Sequence, residues 1–179
     1  MKKIFIALFA IFVVFGMADA KTLVAYFSRS GNTAAVANEI VTATGADVYR
    51  IETADPNHYP DEYQPTTVQA QQEINDGILP EINTVPDLTE YDTVFVGTPC
   101  WWGTMAQPVR TFLTNADLAG KTVVPFNTHE GSGAGNVHTD IVALTPNSEH
   151  LNGIAIRGSM AANSSDTVNE WLTEIGILK

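Results

Sequence analysis

The chain has 179 residues, 45% of them hydrophobic and 16% charged, with 13 Gly and 9 Pro. That composition suits one ordinary domain and excludes disordered, collagen-like and coiled-coil chains. Acidic residues outnumber basic ones 20 to 9, a formal net charge of −11, which leaves no electrostatic route to nucleic-acid phosphates.

Lys2 and Lys3 precede an apolar run from Ile4 to Phe15, and Ala18-Asp19-Ala20 follows as an A-x-A cleavage pattern. The run is shorter than the ~18–20 residues needed to span a bilayer, so residues 1–20 are expected to be a cleaved export signal of bacterial type. No cysteine stands at the cut, which excludes a lipid anchor, and no Arg-Arg pair marks a folded-export route. The mature domain is expected to be residues 21–179, with 7 basic and 19 acidic residues, about −12 in charge, working in the periplasm or outside the cell. The single cysteine, Cys100, excludes an internal disulfide framework and any CxxC motif.

Thr22–Phe27 is a near-continuous apolar run, as in a strand buried on both faces. Val36, Ala37, Ile40 and Val41 recur at helical spacing, and Asp47–Ile51 is a second strand. A polar, proline-containing passage leads to a helix over Thr66–Asn75. The third strand is Thr93–Gly97, followed by a helix over Met105–Leu113 with Pro108 in its first turn. Lys121–Asn127 is the fourth strand, bent or locally unpaired at Pro125. A helix over Val137–Leu144, a fifth strand Gly153–Arg157 and a helix carrying Val168, Trp171, Leu172 and Ile175 on one face complete the chain. Strands alternating with helices imply right-handed crossovers, hence an α/β fold: a doubly wound, five-stranded parallel sheet covered on both faces. Ligands of such sheets sit at the carboxyl ends of the strands, in the loops after strands one, three and four.

Each of those loops is unusual in composition. Ser28, Arg29, Ser30, Gly31, Asn32 and Thr33 pack three hydroxyls and an amide before a helix N-terminus, where orphan N–H groups and the helix dipole favour an anion. This makes a phosphate cradle without lysine; an ordinary helix cap is the simpler alternative. The second loop, Thr98 to Thr104, carries Pro99, Cys100, Trp101, Trp102 and Gly103. One tryptophan can pack inward while the other faces a planar ligand, or both can plug the sheet end. The third loop has Thr128, His129, Glu130, Gly131, Ser132, Gly133 and Gly135. Its G-x-G-x-G spacing is not the dinucleotide fingerprint, and backbone N–H groups lining a planar heterocycle account for the glycines better. His58, His138 and His150 are scattered, with no H-x-x-x-H pair for a metal.

Together the stretches Val24–Thr33, Tyr91–Arg110 and Gly120–Gly133 resemble the flavodoxin family over essentially the whole mature chain. The resemblance implies a flavodoxin-like sheet of strand order 2-1-3-4-5 and noncovalently bound FMN. Ser28, Ser30, Asn32 and Thr33 would hold the phosphate, and Trp101 or Trp102 would stack on the ring. All three loops, from Ser28 to Gly133, are then cofactor-binding. Glu130 stands where the resembling branch usually has glycine, and Cys100 where an aliphatic residue is usual. Glu130 faces either solvent or the ring. At ~8 Å and an effective dielectric near 20 it would oppose an added electron by ~2 kcal/mol.

Two functions follow as expectations. One is an exported electron carrier with no chemistry at protein side chains, its acidic surface steering it to redox partners with basic patches. The alternative is an FMN-dependent oxidoreductase that reduces quinones or similar small acceptors. A third possibility is a cofactor-free module that binds some other phosphorylated planar ligand.

Overall fold

The computed structural model describes residues 21–179; the expected export signal, residues 1–20, lies outside the described residues. β1 (Lys21–Tyr26) is an inner parallel strand, hydrogen-bonded to β2 (Asp47–Arg50) on one side and β3 (Tyr91–Trp101) on the other. Successive strand side chains point to opposite faces. Leu23 and Ala25 therefore join one core cluster, Val24 and Tyr26 the other, and all four are buried. This is why the run reads as continuously apolar.

α1 (Asn32–Thr44) follows β1, and α2 (Tyr63–Asp76) lies against β3. α2 begins three residues before its expected start, because Pro65 falls within its first turn, where no N–H is required. β3 runs four residues beyond Gly97 and turns back through a short antiparallel strand, β4 (Thr104–Met105), not expected from the sequence. α3 (Gln107–Asn115) consequently starts two residues late, with Pro108 in its first turn as expected.

β5 (Thr122–His129) pairs with β3 in unbroken register, Pro125 opposite Val96. Its outer edge is different. Thr122 and Val123 pair with β6 (Glu149–His150), while Phe126 to His129 pair with β7 (Ile154–Arg157), α4 (Val137–Leu144) having intervened. The expected fifth strand, Gly153–Arg157, is β7; β6 is a further short segment on the same edge, and the gap between the two falls beside the proline that has no N–H to give. The sheet order is β2-β1-β3-β5-β6 with β7 also on β5, the doubly wound arrangement with two short strands on its outer edge. After β7 a 3₁₀ turn, Gly158–Asn163, leads into α5 (Ser165–Glu174). α3 and α4 cover one face of the sheet through Val109, Phe112 and Ile141. α1 and α5 cover the other through Val36, Ile40, Val168 and Leu172. The loops after β1, β3 and β5 emerge together at the carboxyl edge.

Candidate functional site

The first loop ends at Gly31, the N-cap of α1, with φ of 91° and no side chain capping the helix. The first-turn N–H groups of Asn32 and Thr33 are the orphan donors of a helix start. Ser28 is buried, and its hydroxyl accepts from the Ala34 N–H at 3.2 Å, so it supports the turn from behind. Arg29 reaches away along the chain, its Nη2 donating to the carbonyls of Pro60 at 3.1 Å and Asp61 at 2.6 Å. Thr33 is buried and shares a 2.8 Å hydroxyl contact with Thr128 of the third loop. The Asn32 amide donates to Glu130 Oε1 at 3.3 Å. Glu130 is exposed, as one expectation had it, and its contact is with the phosphate-type loop.

The aromatic loop is a tight hairpin. Trp102 (φ 51°) and Gly103 (φ 82°) occupy a two-residue turn with both φ values positive, the hand that matches the twist of paired strands. For tryptophan this conformation costs about 1–2 kcal/mol. It is offset in part by the indole N–H, which donates to the Thr67 carbonyl on α2 at 2.9 Å. Trp102 stays 56% exposed. Trp101 packs edge-on against Phe27 and Tyr59, with centroids 5.6 and 5.1 Å apart. Thr104 is buried and its hydroxyl donates to the Asp140 carboxylate of α4. The Ser132 hydroxyl donates to Cys100 Sγ at 3.4 Å.

In the third loop Thr128 is buried, and His129 Nδ1 accepts from the Gly131 N–H at 3.0 Å. The Gly133 carbonyl accepts from Asn127 Nδ2 at 3.2 Å. The second and third loops meet backbone to backbone: Asn136 N–H donates to the Gly103 carbonyl at 2.7 Å. A Cβ at residue 135 would lie 2.5 Å from that same oxygen, so only glycine permits the approach.

Between the three loops lies a cavity of about 700 Å³, within the range of small-molecule sites. From the first loop Arg29, Ser30, Asn32 and Thr33 line it; from the second, Pro99, Cys100 and Trp101; from the third, Thr128, His129, Glu130, Gly131 and Ser132. Six expected residues do not line it: Ser28, Gly31, Trp102, Gly103, Thr104 and Gly133. Their contacts above shape the loops instead. Tyr63, at the start of α2, lines the cavity and was not singled out from the sequence, where nothing distinguishes a tyrosine in a polar, proline-containing stretch. A hollow of about 270 Å³ adjoins it, sharing Arg29, Tyr63, Cys100 and Trp101 and reaching Trp102 and Ala70.

One wall depends on a polar cluster that sequence reading also missed. Glu73 of α2 is buried, and its carboxylate accepts from Tyr59 Oη at 2.7 Å and from Gln69 Nε2 at 3.1 Å. His58 Nε2 lies 2.7 Å from the same carboxylate. Burial, and then the bond to Glu73, push the Tyr59 hydroxyl far above the ordinary tyrosine value, so it is a standing donor. Tyr59 in turn backs Trp101. Among the described residues, no group of three or more His, Cys, Asp or Glu could hold a metal ion. No helix among them is long and apolar enough to cross a membrane.

The residues present suit a phosphomonoester joined to a planar ring. The lining combines hydroxyls and an amide from the start of α1 with Trp101, Pro99 and Tyr63. Comparison with known proteins concerns the family and the fold. The sequence model of a family described as flavodoxin matches residues 21–175. A candidate flavoprotein from Bacteroides eggerthii is 32% identical over 90% of this chain and 100% of its own, with a TM-score of 0.75. Another from Bacteroides uniformis is 31% identical over 86% and 98%, with a TM-score of 0.76. A flavoprotein from Lactobacillus acidophilus NCFM, in complex with FMN, is 22% identical over 85% and 98%, with a TM-score of 0.67, a likeness of fold. No curated protein sequence matches the chain.

Proposed function

Because the chain belongs to the flavodoxin family, we propose that it is an exported electron carrier that holds FMN noncovalently in the three-loop cavity. The observation that carries this reading is the cavity itself, with anion donors at the start of α1 and an aromatic wall at Trp101. Bound FMN supplies single-electron and hydride transfer. The chain supplies the setting. Ser30, Asn32, Thr33 and the first-turn N–H groups bind the phosphate, each charge-assisted bond contributing about 1.5–3 kcal/mol. Trp101 is held edge-on by Phe27 and Tyr59, which presents it as a fixed wall for the ring. Thr33 and Thr128 tie the phosphate loop to the third loop, and Gly103 and Asn136 tie the third to the second, so the cavity is preorganised. The charge of about −12 favours partners with basic patches. Export is supported by the basic, apolar and A-x-A succession of residues 1–20.

A second reading, reduction of quinones or similar small acceptors, is favoured by the 270 Å³ hollow beside the cavity, which could seat a planar acceptor against Trp102. Potentiometry of the FMN-loaded protein separates the two. Two well-separated one-electron waves support the carrier; a single two-electron wave with nicotinamide-driven quinone turnover replaces it with the reductase.

A further inference from the structure

Glu130 and Asn32 are 98 positions apart in the chain, yet the Glu130 carboxylate is seated on the Asn32 amide, a donor of the phosphate loop. Both residues line the 700 Å³ cavity. The end of β7 leaves room for the pair. A Cβ at residue 158 would lie 2.2 Å from Glu130 Oε1 and 2.3 Å from Asn32 Nδ2, so glycine there leaves both side-chain ends in their present positions. Among the described residues no Lys, Arg or His nitrogen lies within 4.0 Å of the Glu130 carboxylate, since the ion pairs there involve other acids. The cradle therefore contains an exposed carboxylate with no ion-pair partner among the described residues, bonded to one of the groups that would receive a phosphate.

We infer that Glu130 is a specificity-determining residue of the phosphate loop, whose carboxylate opposes a dianionic phosphate and narrows the preference for phosphorylated over unphosphorylated flavin. The inference rests on the FMN reading above. A phosphomonoester carries about −1.5 to −2 at neutral pH, and like charges that share one cradle disfavour one another. Glutamine at 130 retains an oxygen to accept from Asn32 and removes only the charge.

The experiment is calorimetric titration of the purified protein and of Glu130→Gln with FMN, riboflavin and inorganic phosphate, at low and high salt. The expected result is about tenfold tighter binding of FMN and phosphate by the variant, with riboflavin unchanged and the gain smaller at high salt. FMN binding that is unchanged or weaker in the variant overturns the inference, because the carboxylate then merely orients Asn32. Equal gains for FMN and riboflavin also overturn it, because the charge then acts on the ring. If neither protein binds a flavin, the FMN reading fails. Phosphate binding then decides this inference alone: tighter in the variant upholds it, unchanged refutes it.

Discussion

Replacing Tyr59 by phenylalanine removes one hydrogen bond from a buried carboxylate and leaves the ring in place. Glu73 loses the 2.7 Å donor but keeps Gln69 and the neighbouring His58, while the ring keeps its contacts with Phe27, Trp101 and His58. A hydrogen bond to a charged group contributes about 1.5–3 kcal/mol. The surviving partners put the expected loss at the lower end, about 1.5–2 kcal/mol. For a domain of this size each kcal/mol moves Tm by about 2–4 °C, so the shift is roughly 3–8 °C downward. Burial raises the Tyr59 hydroxyl above its ordinary value. The unfolded chain ionises near pH 10 and the folded one resists, so the contribution is complete below pH 10 and declines above it. Urea denaturation of both proteins between pH 6 and 9 should give a constant difference. A loss under about 0.5 kcal/mol would refute the claim that this hydroxyl satisfies a buried carboxylate, and with it the account of how Trp101 is braced.

Trp101→Leu should weaken FMN binding about tenfold, since an aromatic pair contributes about 0.5–1.5 kcal/mol beyond area burial. Trp102→Leu, outside the cavity, should change it less than about threefold; equal losses in fluorescence titrations would contradict Trp101 as the ring wall. Burial lowers the His138 pKa, against a smaller opposing effect of its backbone bond to Ile154. The unfolded chain then takes up the proton first, so stability is intact above about pH 6.5 and falls as pH drops below it. His138→Gln should reduce the drop in urea midpoint between pH 7.5 and 5.5, and an unchanged drop would assign acid sensitivity elsewhere.

Local signals carried most of the fold. β1, β3 and β5 are legible because both faces of each strand are buried, which turns them into apolar runs. Val137–Leu144 is helical over the span its periodicity predicts. Pro125 reports a break that is real, but only register shows that the interruption lies on the outer edge, between β6 and β7. The hairpin at Trp102-Gly103 has no hairpin signal in the sequence, because it lacks the Asn-Gly or Asp-Gly signature and returns through a two-residue strand. In the site, loop composition identifies every residue that lines the cavity except Tyr63. The contacts that brace those loops are long-range, such as Thr33 with Thr128 and Asn32 with Glu130, and leave no trace in neighbouring residues. Tyr63 and Glu73 were missed for the same reason: burial and partnership in a polar stretch depend on what folds against it.

The most direct test of the central claim is an absorbance titration of FMN with the purified protein, with tryptophan fluorescence followed in parallel. Saturable binding at micromolar protein or below, a perturbed flavin band and quenched tryptophan emission are the predicted results. A flavin spectrum and tryptophan emission that stay unchanged at micromolar protein would contradict the assignment of the three-loop cavity to FMN.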